Sequence, residues 1–183
     1  MDGGLRMEQN SLYSDKTRFT RMCIAQAVIE LMKNDPIEKI TVSAVVKRAG
    51  VSRMTFYNYY HTLVDALTDY LEELVAEYLV ESEKDKDAGN YLEYSHILFS
   101  LNFFDRYADY FLTMTANHLQ YILMDGINDF MQKYSDNYTG HSAYELYCYS
   151  GGLLNTFLKW EEGGKKESPE VIAEVLFRLY NRS

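Results

Sequence analysis

Between Thr41 and His61 the chain gathers side chains that can grip a polyanion and read what lies along it. Thr41, Ser43, Ser52 and Thr55 supply hydroxyls, Lys47 and Arg53 supply cations, Asn58 an amide, and Tyr57, Tyr59 and His61 polar atoms carried on rings. Guanidinium and amide groups form paired hydrogen bonds with base edges, whereas hydroxyls and phenols more often hold phosphate oxygens. Residues 1–61 carry nine Lys or Arg against six Asp or Glu, and residues 62–183 carry nine against twenty-one, so the net charge of −9 conceals a basic front. Charge of the sign that suits a nucleic acid is concentrated where these side chains are. Other chemistries find little support. His61, His96, His118 and His141 never stand four apart, and no glycine-flanked nucleophile or phosphate loop accompanies them. Cys23 and Cys148 lie far apart with no metal-ligand spacing, which makes both expected buried structural thiols. No enzyme, metal or cofactor is expected.

The elements that must position these residues are helical. Two prolines and ten glycines in 183 residues are too few for the turns of an all-β fold. Ile24, Val28 and Leu31 recur at helical spacing within Lys16 to Asn34, and Asn34-Asp35-Pro36 stops the run. Thr41 caps a short helix from Val42 to Ala49 that ends at Gly50, and Ser52 opens another from Arg53 to Tyr60. Thr62 with Asp65 gives a capping box for a long fourth helix whose Leu67, Tyr70, Leu71, Leu74 and Tyr78 keep one stripe. Glu81 to Asp87, ending at Gly89, reads as an interdomain connection. Helices are expected beyond it at Tyr91 to Phe104, Tyr107 to Thr115, Asn117 to Tyr134, Ser142 to Glu162 and Pro169 to Tyr180. Met1 to Asn10 lacks the pattern of a signal peptide, and no run of about 18 apolar residues could span a membrane. A cytoplasmic address and no membrane partner are expected.

Two short helices joined by a glycine-containing turn are the geometry of a helix-turn-helix, whose second helix enters the DNA major groove. Val45, Val46, Ala49, Val51 and Phe56 can form its small core. The stretch Thr41-Val42, then Arg48-Ala49-Gly50-Val51-Ser52, then Thr55-Phe56-Tyr57, resembles the N-terminal DNA-binding domain of the TetR family of bacterial transcriptional regulators. An aromatic pair, Tyr59-Tyr60, follows where the family commonly has His-Phe. Tyr149-Ser150-Gly151-Gly152-Leu153-Leu154, with Lys159-Trp160 and Glu162-Gly163, is similar to the C-terminal region of one TetR-like branch. Four positions depart from the pattern: Ala44 in place of an acidic residue, Met54 in place of a small one, and Leu63-Val64 in place of a basic-acidic pair.

The resemblance implies an all-α homodimer. Residues 1–61 would form a three-helix DNA-binding domain on a palindromic double-stranded operator, and residues 62–183 a helical dimerisation and ligand-binding domain. A repressor modulated by a small-molecule or protein effector is the expected activity, and a module whose C-terminal domain docks a protein partner is the alternative. Apolar residues on more than one face of the last two helices agree with a dimer, and Gly151, Gly152, Leu154, Leu158, Leu176 and Leu179 are its expected contacts. Two glycines in mid-helix cost roughly 1 kcal/mol each, which a close approach of another backbone would explain.

Eight aromatic residues fall within Tyr91 to Phe111. They either fill the core or line a pocket. Buried phenols need partners, and the pocket reading names Tyr94, His96, Phe99, Phe103, Tyr107, Tyr110, His118 and Tyr147 as ligand contacts.

Overall fold

The computed structural model describes residues 15–137 and 142–181, so the expectations for Met1 to Asn10 and for His141 lie outside the described residues. Every regular element among them is helical: α1 (Asp15–Met32), α2 (Val42–Ala49), α3 (Arg53–Tyr59), α4 (Leu63–Lys84), α5 (Tyr94–Arg106), α6 (Ala108–Ala116), α7 (Gln120–Asn137), α8 (Ala143–Glu162) and α9 (Pro169–Tyr180), with one 3₁₀ turn at Ile37–Lys39. No helix among the described residues is long and apolar enough to cross a membrane. The chain forms two compact units, Met1–Leu67 and Thr68–Ser183.

In the first unit α1 packs on α2 and α2 on α3. The core holds Ile24, Val28, Val45, Phe56, Ala66 and Leu67, each fully buried. Local chemistry sets each boundary. The Thr41 side chain accepts the Ala44 N–H at 3.2 Å, giving α2 half of a capping box, and Gly50 ends it at φ 69°, a conformation that costs a side chain dearly. The Ser52 hydroxyl accepts the Thr55 N–H at 3.0 Å to open α3. Thr62 and Asp65 cap α4 reciprocally, at 3.1 Å and 2.9 Å. Burial would raise the Asp65 carboxyl, but hydrogen bonds from Thr62 and His61 outweigh it and hold the group below its usual range.

In the second unit α5 packs on α9, α7 on α8, and α6 on both α7 and α8. Ile97, Leu101, Phe111, Met114, Leu123, Leu146, Tyr149 and Phe157 form its center, all within 2% exposure. Ser142 and Glu145 cap α8 reciprocally, a box the sequence reading overlooked. Glu81 to Asp87 is not a connection between domains, because α4 continues to Lys84 and the whole stretch lies inside the second unit. The helix starts at Tyr91 and Asn117 also move. Asn90 gives its backbone and side-chain N–H groups to the Glu93 carboxylate, and Leu92 sits at φ 71°, so α5 begins at Tyr94. His118 at φ 59° closes α6, with Leu119 N–H donating to the Met114 carbonyl at 2.8 Å, and α7 waits until Gln120.

Gly151 and Gly152 have a different account from the one expected. Open space faces Gly151, and a Cβ on Gly152 would stand 2.3 Å from the Tyr180 hydroxyl, which itself donates to the Tyr149 carbonyl at 3.2 Å. The close approach at Gly152 is therefore made by a side chain of α9 within the same chain. Cys148 is exposed rather than buried, because it lies on the side of α8 opposite Leu146, Tyr149 and Leu153.

Candidate functional site

Recognition by α3 depends on which of its faces is spent on the core. Phe56 is fully buried and its ring meets Tyr57 and Tyr60 edge-on, with centroids 5.3 and 5.8 Å apart. A 100° step per residue then sends its neighbours outward. Arg53 and Asn58 are exposed, Tyr57 is 47% exposed, and Tyr59 is half-buried. Ser52 and Thr55 are tied to each other, Oγ to Oγ1 at 2.8 Å, which fixes the first turn of α3. Ser43 and Lys47 lie exposed on α2, Thr41 at its cap, and His61 on the α3–α4 turn, where its N–H donates to Asp65 at 2.9 Å. Arg48 is held by Glu30 of α1 and serves to join the helices. Neither Lys47 nor Arg53 forms an ion pair among the described residues, so both cations remain available to a phosphate or base edge. Met54, 72% exposed on the same helix, adds an apolar group that can meet a thymine methyl.

The second unit holds a cavity of about 50 Å³. Its walls come from α4 (Leu71, Leu74, Val75, Tyr78), from Tyr91 and the α5 residues Phe103 and Phe104, from α6 (Phe111), from α7 (Ile127, Phe130, Met131) and from α8 (Tyr149, Ser150, Leu153). None of these described wall residues is charged. Behind Tyr78 lies a buried polar group: its hydroxyl is 2.7 Å from His96 Nε2 and 2.8 Å from Ser100 Oγ, and Ser100 also reaches the His96 carbonyl at 2.8 Å.

Comparison with known proteins bears on both sites. Residues 90–182, half of the chain, match the TetR-type family model described as a transcriptional regulator C-terminal region. The chain belongs to the TetR family of transcriptional regulators. This is a family of regulators and not of enzymes. Among solved structures, a TetR regulator from Streptococcus agalactiae is 18% identical, with TM-score 0.62, covering 91% of this chain and 96% of that one. FadR of Bacillus subtilis, solved with stearoyl-CoA, is 16% identical at TM-score 0.60, covering 87% and 96%. DhaS, the activator of a dihydroxyacetone kinase operon, is 17% identical at TM-score 0.56, covering 88% and 93%. At these identities the likeness carries the fold. No curated protein sequence matches the chain.

Of the aromatic and histidine residues expected to meet a ligand in this TetR-family chain, Phe103 lines the cavity. His96 is 3% exposed and stands behind two wall residues, bonded to Tyr78 and packed on the Tyr91 ring at 4.4 Å. Phe99 packs on Tyr78 with centroids 5.4 Å apart, and Tyr94 on Phe177 of α9 at 6.3 Å. Tyr107 donates to Glu77, Tyr110 is buried against Tyr70 at 5.0 Å, His118 is exposed, and Tyr147 donates to Gln132 at 2.6 Å. The wall residues that sequence reasoning missed, among them Leu71, Leu74, Ile127, Met131 and Leu153, do leave a signal in the apolar stripes of α4, α7 and α8. Aromatic density found part of the wall, since Tyr91, Phe103, Phe104 and Phe111 of that cluster line the cavity.

His96 also predicts how the regulator responds to acid. Burial pushes its imidazole down to about 4 from 6.5, against the opposing pull of the Gly89 and Ala88 backbone and of Glu93. The unfolded chain takes up this proton at a higher pH than the folded one. Its contribution is therefore intact above about pH 6.5 and is lost as pH falls toward 4. Roughly 3 kcal/mol of stability should disappear across that window. Urea unfolding at pH 7 and pH 4.5 should show His96→Gln losing clearly less than the wild type; equal losses would mean that His96 titrates normally.

Proposed function

We propose that the protein is a sequence-specific transcriptional repressor of the cytoplasm that binds a palindromic operator as a homodimer and changes its affinity when an effector occupies the second unit. The observation that carries this reading is α3, where a buried Phe56 leaves Arg53, Tyr57 and Asn58 exposed on a capped, rigid helix. Two such helices related by a two-fold axis meet successive major grooves about 34 to 36 Å apart. Occupying an operator is enough to block transcription, whereas activation, the role of the structural relative DhaS, needs a further surface for the transcription machinery. An effector acts if it favours a conformation in which the two recognition helices no longer match that spacing. Its site would be the cavity, and α4, which starts in the first unit and forms one cavity wall in the second, would carry the change.

For the second copy, the exposed stripe Val171, Val175 and Leu179 on α9 offers a face, with Tyr144 exposed on α8. Of the residues expected there from sequence, Leu179 is exposed, Gly151 and Gly152 are half-buried, and Leu154, Leu158 and Leu176 are already covered within the chain.

Selection of bound fragments from random DNA by the purified protein tests the reading, since enrichment of an inverted repeat supports it and failure to enrich any sequence at low salt overturns it. With the selected operator, Arg53→Ala should either lower the salt slope by about 0.9, as expected for a phosphate contact, or relax preference at one base pair with a loss of about 1–3 kcal/mol. Unchanged affinity and selectivity would remove Arg53 from the interface. A reporter under that operator reads the sign of regulation.

A further inference from the structure

The outward ridge of α3 carries one residue that is poorly equipped to read a base by hydrogen bonding. Met54 is 72% exposed, and its thioether donates nothing and accepts only weakly. Its direction is set by Phe56. Each residue turns an α-helix by about 100°, so Met54 and Asn58, two before and two after the buried Phe56, each point about 160° away from it. The burial pattern agrees: Arg53, Met54, Tyr57 and Asn58 are exposed, whereas Thr55 and Tyr59 on the remaining side are half-buried. Met54 therefore stands one turn before Asn58, among the residues near the start of a recognition helix that meet base edges in a major groove. At this position the chain departs from its family, which commonly has a small residue there.

The surroundings of Met54 suit a nucleic acid better than an apolar protein surface. On α2 and α3 the other exposed large hydrophobic is Tyr57, and Ser52, Arg53 and Asn58 are polar, so these helices form no contiguous apolar patch around the methionine. In the major groove, base pairs offer an apolar side chain one partner, the 5-methyl group of thymine, amid hydrogen-bond donors and acceptors. An apolar side chain laid on the cytosine amino group, or on the N7 of a purine, displaces water and returns no hydrogen bond. Such a contact discriminates twice, by apolar burial against the methyl and by the cost of desolvating the alternatives. Methionine is suited to it, because its unbranched, polarisable chain adjusts to an irregular surface.

We propose that Met54 reads a pyrimidine 5-methyl group at one position of each half-site, so that thymine is selected there without a hydrogen bond; this rests on the operator reading above and adds a base and its chemistry to it. Unmethylated random DNA offers that methyl on thymine alone. In the operator selected from such DNA, each thymine is replaced in turn by deoxyuridine, which deletes the methyl and keeps every hydrogen-bonding group. At one position per half-site the wild-type full chain should lose about four-fold in affinity, and about fifteen-fold with both half-sites changed, as loss of one buried methyl each predicts. Met54→Ser should bind the thymine operator about fifteen-fold more weakly than the wild type and should not distinguish thymine from deoxyuridine at that position. Its side chain is exposed, so the variant should melt with the wild type. With cytosine placed there, 5-methylation should strengthen wild-type binding about four-fold per half-site and leave Met54→Ser unchanged. A wild type indifferent to every thymine methyl, or a methyl effect that survives in Met54→Ser, would overturn the proposal while leaving the operator reading intact, because an inverted repeat would still have been enriched. A chain that enriches no sequence would overturn both.

Discussion

Phe56→Ala is expected to unfold the helix-turn-helix at ordinary temperature and to abolish operator binding. Phe56 is fully buried and is the residue of α3 that faces inward, so α3 is held to the rest of its unit mainly through this ring. Truncating a buried phenylalanine costs roughly 3–5 kcal/mol, transfer and cavity terms together. A unit of 67 residues has little to spare, since small domains bury a smaller share of their surface. Loss of the ring also removes the edge contacts that orient Tyr57 and Tyr60. Hydrogen exchange should therefore show protection lost through Val45 to Tyr60 while amides of Leu101, Leu123 and Phe157 keep theirs. A variant that retains protection in α2 and α3 and still binds the operator would show that the capped ends, not the ring, hold the motif.

The parts of this fold that sequence made legible are those fixed by neighbours in the chain. Thr41, Gly50 and Ser52 each act within four residues, so α2 and α3 could be bounded from sequence, and the long helix after Thr62 and Asp65 as well. Ser168-Pro169 did the same for α9. Boundaries drifted where the stop signal is not a glycine. Leu92 and His118 adopt positive φ; leucine gives no sign of it, and histidine, though enriched there, marks a left-handed turn far less plainly than glycine does. The cavity was less legible still, because its walls are assembled from five helices and Tyr91, and a cluster dense in one stretch of sequence supplied only part of them. Phe104 and Phe111 of that cluster meet Phe157 of α8 and close the core, at centroid distances of 5.6 and 5.5 Å. Pairing at that range is a tertiary fact. Gly152 illustrates the same limit: its small size was legible as a close approach, but whether the neighbour belonged to a second chain or to Tyr180 was not.

That distinction decides how the dimer should be tested. Gly152→Phe would overpack against Tyr180 within one chain, so a loss of dimer in that variant would not report on the interface. Val175→Glu with Leu179→Glu would. Val171, Val175 and Leu179 stand one turn apart on α9 at 50%, 59% and 58% exposure, while Ala173 and Leu176 on its other side are buried, so the substitutions leave the chain's own core untouched. Burying such an aliphatic side chain stabilises by roughly 1.5–3 kcal/mol, and a two-fold interface counts every residue twice. Introducing four carboxylates into the facing pair would add repulsion to the lost burial. The double variant should sediment as a folded monomer at micromolar concentration, with helicity and melting of the second unit unchanged. Its operator affinity should fall by about 10²- to 10⁴-fold, because the second half-site would no longer be bound intramolecularly. A double variant that remains a dimer with full operator affinity would place the two-fold contact on another face, and a wild type that sediments as a monomer would remove the geometry on which the operator reading depends.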